Sequence, residues 1–336
     1  MRKSGLLLAL CLLPACNDRS IDGHPGSDMT GTLPDSGASD LAGASSFDLA
    51  AQRPLWQPEP SGTKQDLLGI WGSSANDIYV VGRGGTILHS HGEGQWTAQD
   101  SGTMGTISAI WGSSATDLYA VTTGFVLRSN GDGHWRTETP PNGNQGLDWG
   151  VWGTSATDVY ICGIFGVAHS TGDGTWTLLP PSKDNRGYFS INGRGPNDIW
   201  AVGGDGQTKI GQLIGGAYHF TGSWSWIAFG STQNMKSIAF TQKGAFVVGN
   251  GGQIWLDDGV GFQQQSSSQP NDLNSVWAAS DGTLFAVGGS GTVTTSSGNG
   301  SWAPEPTPSA LPLNGVWGAN KSAIYAVGYA GEILRR

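Results

Sequence analysis

A tryptophan followed by glycine or alanine returns along this chain at nearly constant intervals, and few folds can accommodate that. Ile70-Trp71-Gly72, Ile110-Trp111-Gly112, Val151-Trp152-Gly153, Val276-Trp277-Ala278 and Val316-Trp317-Gly318 mark five units. Degenerate copies, Ile191-Asn192-Gly193 and Ile238-Ala239-Phe240, fill the gap, so the seven anchors are 40, 41, 40, 47, 38 and 40 residues apart. A fixed period of this size signals a repeat architecture in which each unit buries its apolar faces only against its neighbours.

A second signal gives the same count. An aromatic followed by aliphatics recurs at Tyr79-Val80-Val81, Tyr119-Ala120-Val121, Tyr160-Ile161-Cys162, Trp200-Ala201-Val202, Phe246-Val247-Val248, Phe285-Ala286-Val287 and Tyr325-Ala326-Val327. Apolar side chains at successive positions require a strand covered on both faces. A radial stack of sheets supplies that cover. A third strand follows, typified by Thr86-Ile87-Leu88-His89-Ser90. A fourth opens on Trp96, Trp135, Trp176, Trp224 or Trp226, Phe262 and Trp302. With 13% charged residues and 55 Gly in 336 residues, the composition suits short strands and tight turns rather than helices.

The last repeat stops at Arg336 after its third strand, while a spare fourth-strand signature, Leu55-Trp56-Gln57, precedes the first anchor. The prediction is an all-β, seven-bladed β-propeller over residues 54–336, with four antiparallel strands per blade. The N-terminal strand around Trp56 closes it and hides the edges of an open array.

The N-terminus has the layout of an export signal: Met1-Arg2-Lys3, an apolar core from Leu6 to Leu13, then Pro14-Ala15-Cys16. Its ending resembles a bacterial lipobox, which implies cleavage after residue 15 and lipidation of Cys16. Several acyl chains would hold the protein at a membrane, since each buried CH₂ contributes ~0.8 kcal/mol. Residues 16–53, rich in Ser, Gly, Ala and Asp, read as a flexible tether. Loss of residues 1–15 leaves 15 basic against 26 acidic side chains, a net charge of −11, which argues against a nucleic-acid partner. Cys162 alone remains unmodified and is expected in the core.

Hairpins such as Ser129-Asn130-Gly131-Asp132-Gly133-His134-Trp135 and Ser170-Thr171-Gly172-Asp173-Gly174-Thr175-Trp176 carry turn chemistry, with no Asp-x-Asp-x-Asp run for calcium. Asp77, Asp117, Asp158 and Asp198 stand two residues before the second-strand aromatic and are expected to cap the first hairpin. Their separation around a ring excludes a two-carboxylate pair. No phosphate loop or nucleophile elbow occurs. Neither a cofactor nor a metal site is expected.

The units Ile-Trp-Gly-Ser-Ser-Ala-x-Asp-x-Tyr-x-Val and Gly-Gly-Thr-Ile-Leu-His-Ser resemble those of bacterial propeller lipoproteins with Trp-Gly-Ser-Ser repeats. They are more distantly similar to photosystem II assembly-factor propellers and to BNR (sialidase-like) repeats. Asp132 and Asp173, however, precede their Trp by three residues rather than the five of an Asp-box. A sialidase needs three converging arginines. Arg128 and Arg136 fall on third and fourth strands, Arg194 on a turn, and only Arg83 and Arg186 map to the rim. The lipoprotein resemblance implies, from Asn17 after the lipidated Cys, an outer-membrane location; either face of that membrane remains open.

The rim formed by inter-blade loops and second-to-third-strand loops varies most between repeats, and blade four carries an insertion there over 205–211. Candidate ligand-binding residues on it are Trp149, Asp148, Asp184, Arg186, Tyr188, Arg83, Asn250 and Tyr329. Trp149 lies outside the repeating aromatic positions and suits either stacking on a ligand or capping a neighbouring blade. The expected function is a monomeric, non-catalytic, membrane-anchored scaffold for a protein or peptide. A glycan-binding, lectin-like propeller is the alternative, and a BNR-type hydrolase the weaker one.

Overall fold

The computed structural model describes residues 55–140, 146, 149–164, 166–179, 186–205 and 215–336. Cys16, the tether, Asp148, Asp184 and most of the blade-four insertion lie outside them. Seven four-stranded antiparallel sheets form a β-propeller. Blades one to six cover residues 67–99, 107–138, 150–179, 186–231, 235–265 and 273–304, each in simple up-and-down order. Blade seven combines residues 313–335 with the N-terminal strand Gln57–Glu59. Each innermost strand lies beside the innermost strands of both neighbours, and the first also meets the seventh, so the ring is complete.

Closure is as the sequence predicts. Gln57, Pro58 and Glu59 pair with Arg335, Leu334 and Ile333. Trp56 is fully buried in a cluster with Phe285, Val316 and Leu334. Second strands are buried at nearly every position, including Asp77–Gly82 and Asp117–Thr122, consistent with cover on both faces. Buried Cys162 lies at the interface of blades three and four, where its thiol donates to the Tyr188 carbonyl at 3.3 Å.

Two inter-blade devices explain the sequence signature. Each anchor Trp reaches over the glycine of the next blade. A Cβ on Gly72 would stand 2.5 Å from the Trp317 ring, and one on Gly112 would stand 2.8 Å from Trp71. The glycine therefore makes room for the previous blade's indole, and Trp317 over Gly72 carries this contact across the closure. The second device runs around the outside. A fourth-strand Trp Nε1 donates to a Glu or Gln three residues past the equivalent position of the preceding blade. The five bonds are Trp56 to Glu305 (2.9 Å), Trp96 to Glu59 (3.0 Å), Trp135 to Gln99 (2.9 Å), Trp176 to Glu138 (3.2 Å) and Trp302 to Gln265 (3.0 Å). The same indoles meet the preceding second-strand aromatic edge-on, as in Trp96–Tyr325, Trp135–Tyr79 and Trp176–Tyr119 at 6.1–6.4 Å.

The repeated aspartates do more than cap a hairpin, which corrects the sequence reading. Asp77 accepts from Ser73 at 2.5 Å and pairs with Nε2 of His89 on the third strand at 2.8 Å. Asp117 binds Ser113 and Arg128, and Asp158 pairs with His169. Each carboxylate thus crosslinks three strands of one blade. Ser73 and His89 both bond the carboxylate rather than each other, so no nucleophile–base pair results. The outer hairpins behave as turns: Asp132 and Asp173 accept the backbone N–H two residues on, at 2.9 and 2.8 Å.

Candidate functional site

The innermost strands share a backbone irregularity that fixes the geometry of the propeller mouth. In six blades the pairing register slips four to two residues before the anchor position, between Leu67 and Gly69, Ile107 and Ala109, Tyr188 and Ser190, Met235 and Ser237, Leu273 and Ser275, and Leu313 and Gly315. The residue skipped is the one three before the anchor. A bulged residue is left unpaired and its side chain is re-aimed. In blade three Trp149 holds this position, just before the strand Gly150–Ser155 begins.

These seven residues are Leu68, Ser108, Trp149, Phe189, Lys236, Asn274 and Asn314, all half-buried and all lining the central channel, a cavity of about 200 Å³. The residues before them are core: Leu67, Ile107, Tyr188, Met235, Leu273 and Leu313 are buried. Residues following them are small, because adjacent innermost strands converge. A Cβ on Gly69 would already touch Ala109 at 3.1 Å. Ser237 and Ser275 fit there, with each hydroxyl accepting the N–H of the next blade's Val276 or Val316.

The ring is chemically lopsided. Trp149 and Phe189 are stacked face to face, 4.5 Å apart and within 2° of parallel. The ammonium of Lys236 sits 3.8 Å above the centre of the Phe189 ring. Three consecutive blades therefore supply a cation, an aryl ring and an indole in one continuous stack. Burial pushes the Lys236 pKa down, and the carboxylate of Asp272 pulls it back only in part. On the other side, the amides of Asn274 and Asn314 donate to the Leu313 and Leu67 carbonyls of the next blade at 2.9 and 2.8 Å. Each amide is thereby fixed in place beside the channel.

The residues expected at this rim divide. Trp149 lines the channel. Tyr188 does not: it is a core residue, packed edge-to-face on Tyr218 at 5.5 Å, because it holds the buried position four before the anchor. Arg186 lies over the ring of Trp226 at 4.3 Å, within its own blade. Arg83, Asn250 and Tyr329 occupy short turns between second and third strands. Arg83 is paired with Asp66 at 3.1 Å, and Asp66 also accepts the backbone N–H of Ala330, tying the turns of blades one and seven together. Tyr329 is 40% exposed, and the buried Oδ1 of Asn250 has no partner. In these turns the third residue must be glycine. Gly85 has φ 69°, and a Cβ there would lie 1.8 Å from the Thr103 carbonyl. Sequence reasoning missed Phe189 and Lys236, although both are found by counting three back from Asn192 and Ala239. Among the described residues no three His, Cys, Asp or Glu side chains gather as metal ligands.

No family model matches the sequence, and no curated protein matches it. Solved structures do. YCF48 from Cyanidioschyzon merolae superposes with a TM-score of 0.68 at 16% identity, over 84% of this chain and 98% of that one. YCF48 bound to D1 peptide gives 0.69 at 13%, over 84% and 96%. A streptogramin B lyase, an enzyme, gives 0.70 at 12%, over 83% and 96%. These likenesses establish the propeller, which peptide-binding and catalytic proteins share.

Proposed function

We propose that the protein is a non-catalytic scaffold that binds a polypeptide segment at the channel mouth. The observation carrying this reading is the Trp149–Phe189–Lys236 stack, a platform for an apolar side chain next to a cation for a carboxylate, with the fixed Asn274 and Asn314 amides opposite. A short acidic segment with an aromatic or aliphatic residue beside the acid fits that chemistry. The peptide-bound YCF48 structure supports the reading only by showing what one propeller of this shape can hold.

Peptides selected from a random display library on the protein should be enriched in an acid adjoining an apolar residue. Their affinity should fall at least tenfold with Trp149→Ala and with Lys236→Met. Selection of sugars on a glycan array instead, lost in Trp149→Ala, would favour the lectin-like alternative. Turnover on glycoside or ester substrates would favour an enzyme.

The same reading includes anchoring. Cys16, following an export signal, is proposed to carry the lipid, and Asn17 to direct the protein to the outer membrane. Mass spectrometry of detergent-extracted protein should find acyl groups on Cys16. The Cys16→Ser protein should leave the membrane fraction, and its retention there would refute the anchor.

A further inference from the structure

The outer ladder of indoles breaks once in a way that opens a cavity. Tyr160, His169 and Leu179 of blade three correspond to Tyr79, His89 and Gln99 of blade one and to Tyr119, Arg128 and Glu138 of blade two. In blades one and two the next blade's Trp lies edge-on to the Tyr and donates to the Gln or Glu. At blade three Leu179 holds the acceptor's position and offers none, and the next blade's Trp224 and Trp226 pack instead on Tyr218 of their own sheet, at 6.2 and 5.6 Å.

The cause lies in the hairpin. Five residues separate Ser170 from Trp176, but only three separate Phe220 from Trp224, and Phe220 pairs directly with Trp224 across that tight turn. In four other blades a Ser holds the Phe220 position and caps a longer turn, as Ser170 does by accepting the Gly172 N–H at 3.1 Å. The short hairpin keeps Trp224 tilted against Phe220, 5.3 Å away, and it does not cross to blade three. The result is a cleft of about 730 Å³ on the outer wall of the ring, lined by Tyr160, His169, Leu179, Tyr218, Phe220 and Trp224 and edged by Gly222 and Ser223.

We propose that this cleft binds an aromatic side chain of a partner polypeptide, received where a Trp of the protein itself sits at sibling interfaces. The template for the occupant is the protein's own: a ring carried on an extended chain, edge-on to a tyrosine. Tyr160 is already backed by His169, stacked at 4.5 Å and held by Asp158 at 2.8 Å, so the wall is preorganised. Leu179 removes the acceptor that an indole N–H would seek, so phenyl and phenol rings are received as well as indole. Gly222 and Ser223 are exposed, and a Cβ on Gly222 would meet nothing within 4 Å, leaving room for an incoming backbone. The cleft lies away from the channel mouth and does not depend on its role.

The test uses the full chain carrying Cys16→Ser and, as probes, N-acetyl-tryptophanamide and N-acetyl-phenylalaninamide, titrated by saturation-transfer NMR. Both should bind with a Kd on the order of 1 mM. Ser223→Trp, at an exposed position, should fill the cleft and weaken both at least tenfold, whereas Met104→Ala, at an exposed position outside both the cleft and the channel, should change neither. Leu179→Gln restores the missing acceptor and should tighten the tryptophan probe by about threefold to tenfold, leaving the phenylalanine probe unchanged. No binding by ~10 mM, equal binding to Ser223→Trp, or displacement of the probes by methyl glucoside would overturn the proposal.

Discussion

Trp56→Ala perturbs the ring at its single seam. Only three residue pairs join Gln57–Glu59 to the C-terminal strand, so the buried indole carries much of the hold on that short strand. Truncating a fully buried Trp costs about 3–5 kcal/mol. The lost bond to Glu305 adds little, because Arg336 continues to hold that carboxylate at 2.9 Å through both Nε and Nη2 and leaves no orphaned acceptor. The loss is a large share of the roughly 5–15 kcal/mol that keeps a domain folded. Urea denaturation followed by circular dichroism should give this figure. Trp56→Phe, which keeps the ring and loses the N–H bond, should cost only about 1 kcal/mol. Trp176→Ala removes the equivalent buried indole from a blade with continuous connectivity. It should destabilise comparably without exposing residues 55–60 to protease, as Trp56→Ala should. A Trp56→Ala protein within about 0.5 kcal/mol of wild type would refute the assignment of the seam to this residue.

Further outcomes follow from other contacts. Gly72→Ala drives a methyl group into the Trp317 ring and should cost about 1–3 kcal/mol in the same assay; Trp317→Phe should recover part of it in a double-mutant cycle. Asp198 is raised by burial, but bonds from Arg194, His219 and Trp200 outweigh that and hold its carboxyl below the ordinary range. The stability it contributes is present above about pH 4 and lost as pH falls through the depressed value. Asp198→Asn should therefore weaken the protein at pH 7 more than at pH 2.5, as read by urea melts. The lowered Lys236 pKa means its charge opposes folding at neutral pH and the opposition fades as pH rises towards the ordinary lysine value. Lys236→Met should thus melt at or above the wild-type temperature while losing acidic-peptide binding, a stability-for-function exchange.

The architecture was legible because its contacts repeat. The Trp-Gly pair recurs since each indole occupies space that only a missing Cβ provides, and Trp56 stood out because the last blade lacks its fourth strand. The mouth was harder to read for a physical reason. Six of its seven residues sit on bulges, which leave no mark in the alternation of apolar side chains, and the seven differ in type from blade to blade. Trp149 was visible because it broke the aromatic pattern; Phe189 and Lys236 looked ordinary in a strand. Tyr188 and Arg186 were drawn to the rim by their loop-like surroundings, while the blade-four strand Arg186–Gly195 in fact extends through them. The cleft at Tyr160 had two signals, Leu179 in an acceptor position and a hairpin two residues short, which gain meaning only once the indole ladder is known.

Photo-crosslinking in cells tests the central claim most directly. A benzophenone amino acid placed at position 149, 189 or 314, on the ring of channel-lining residues, should give a discrete covalent adduct with a polypeptide, one that Lys236→Met diminishes. The same probe at position 76, 115 or 242, on turns between first and second strands at the opposite face, should give none. Adducts confined to that opposite face, or mouth adducts indifferent to Lys236, would contradict a channel mouth built to hold a partner.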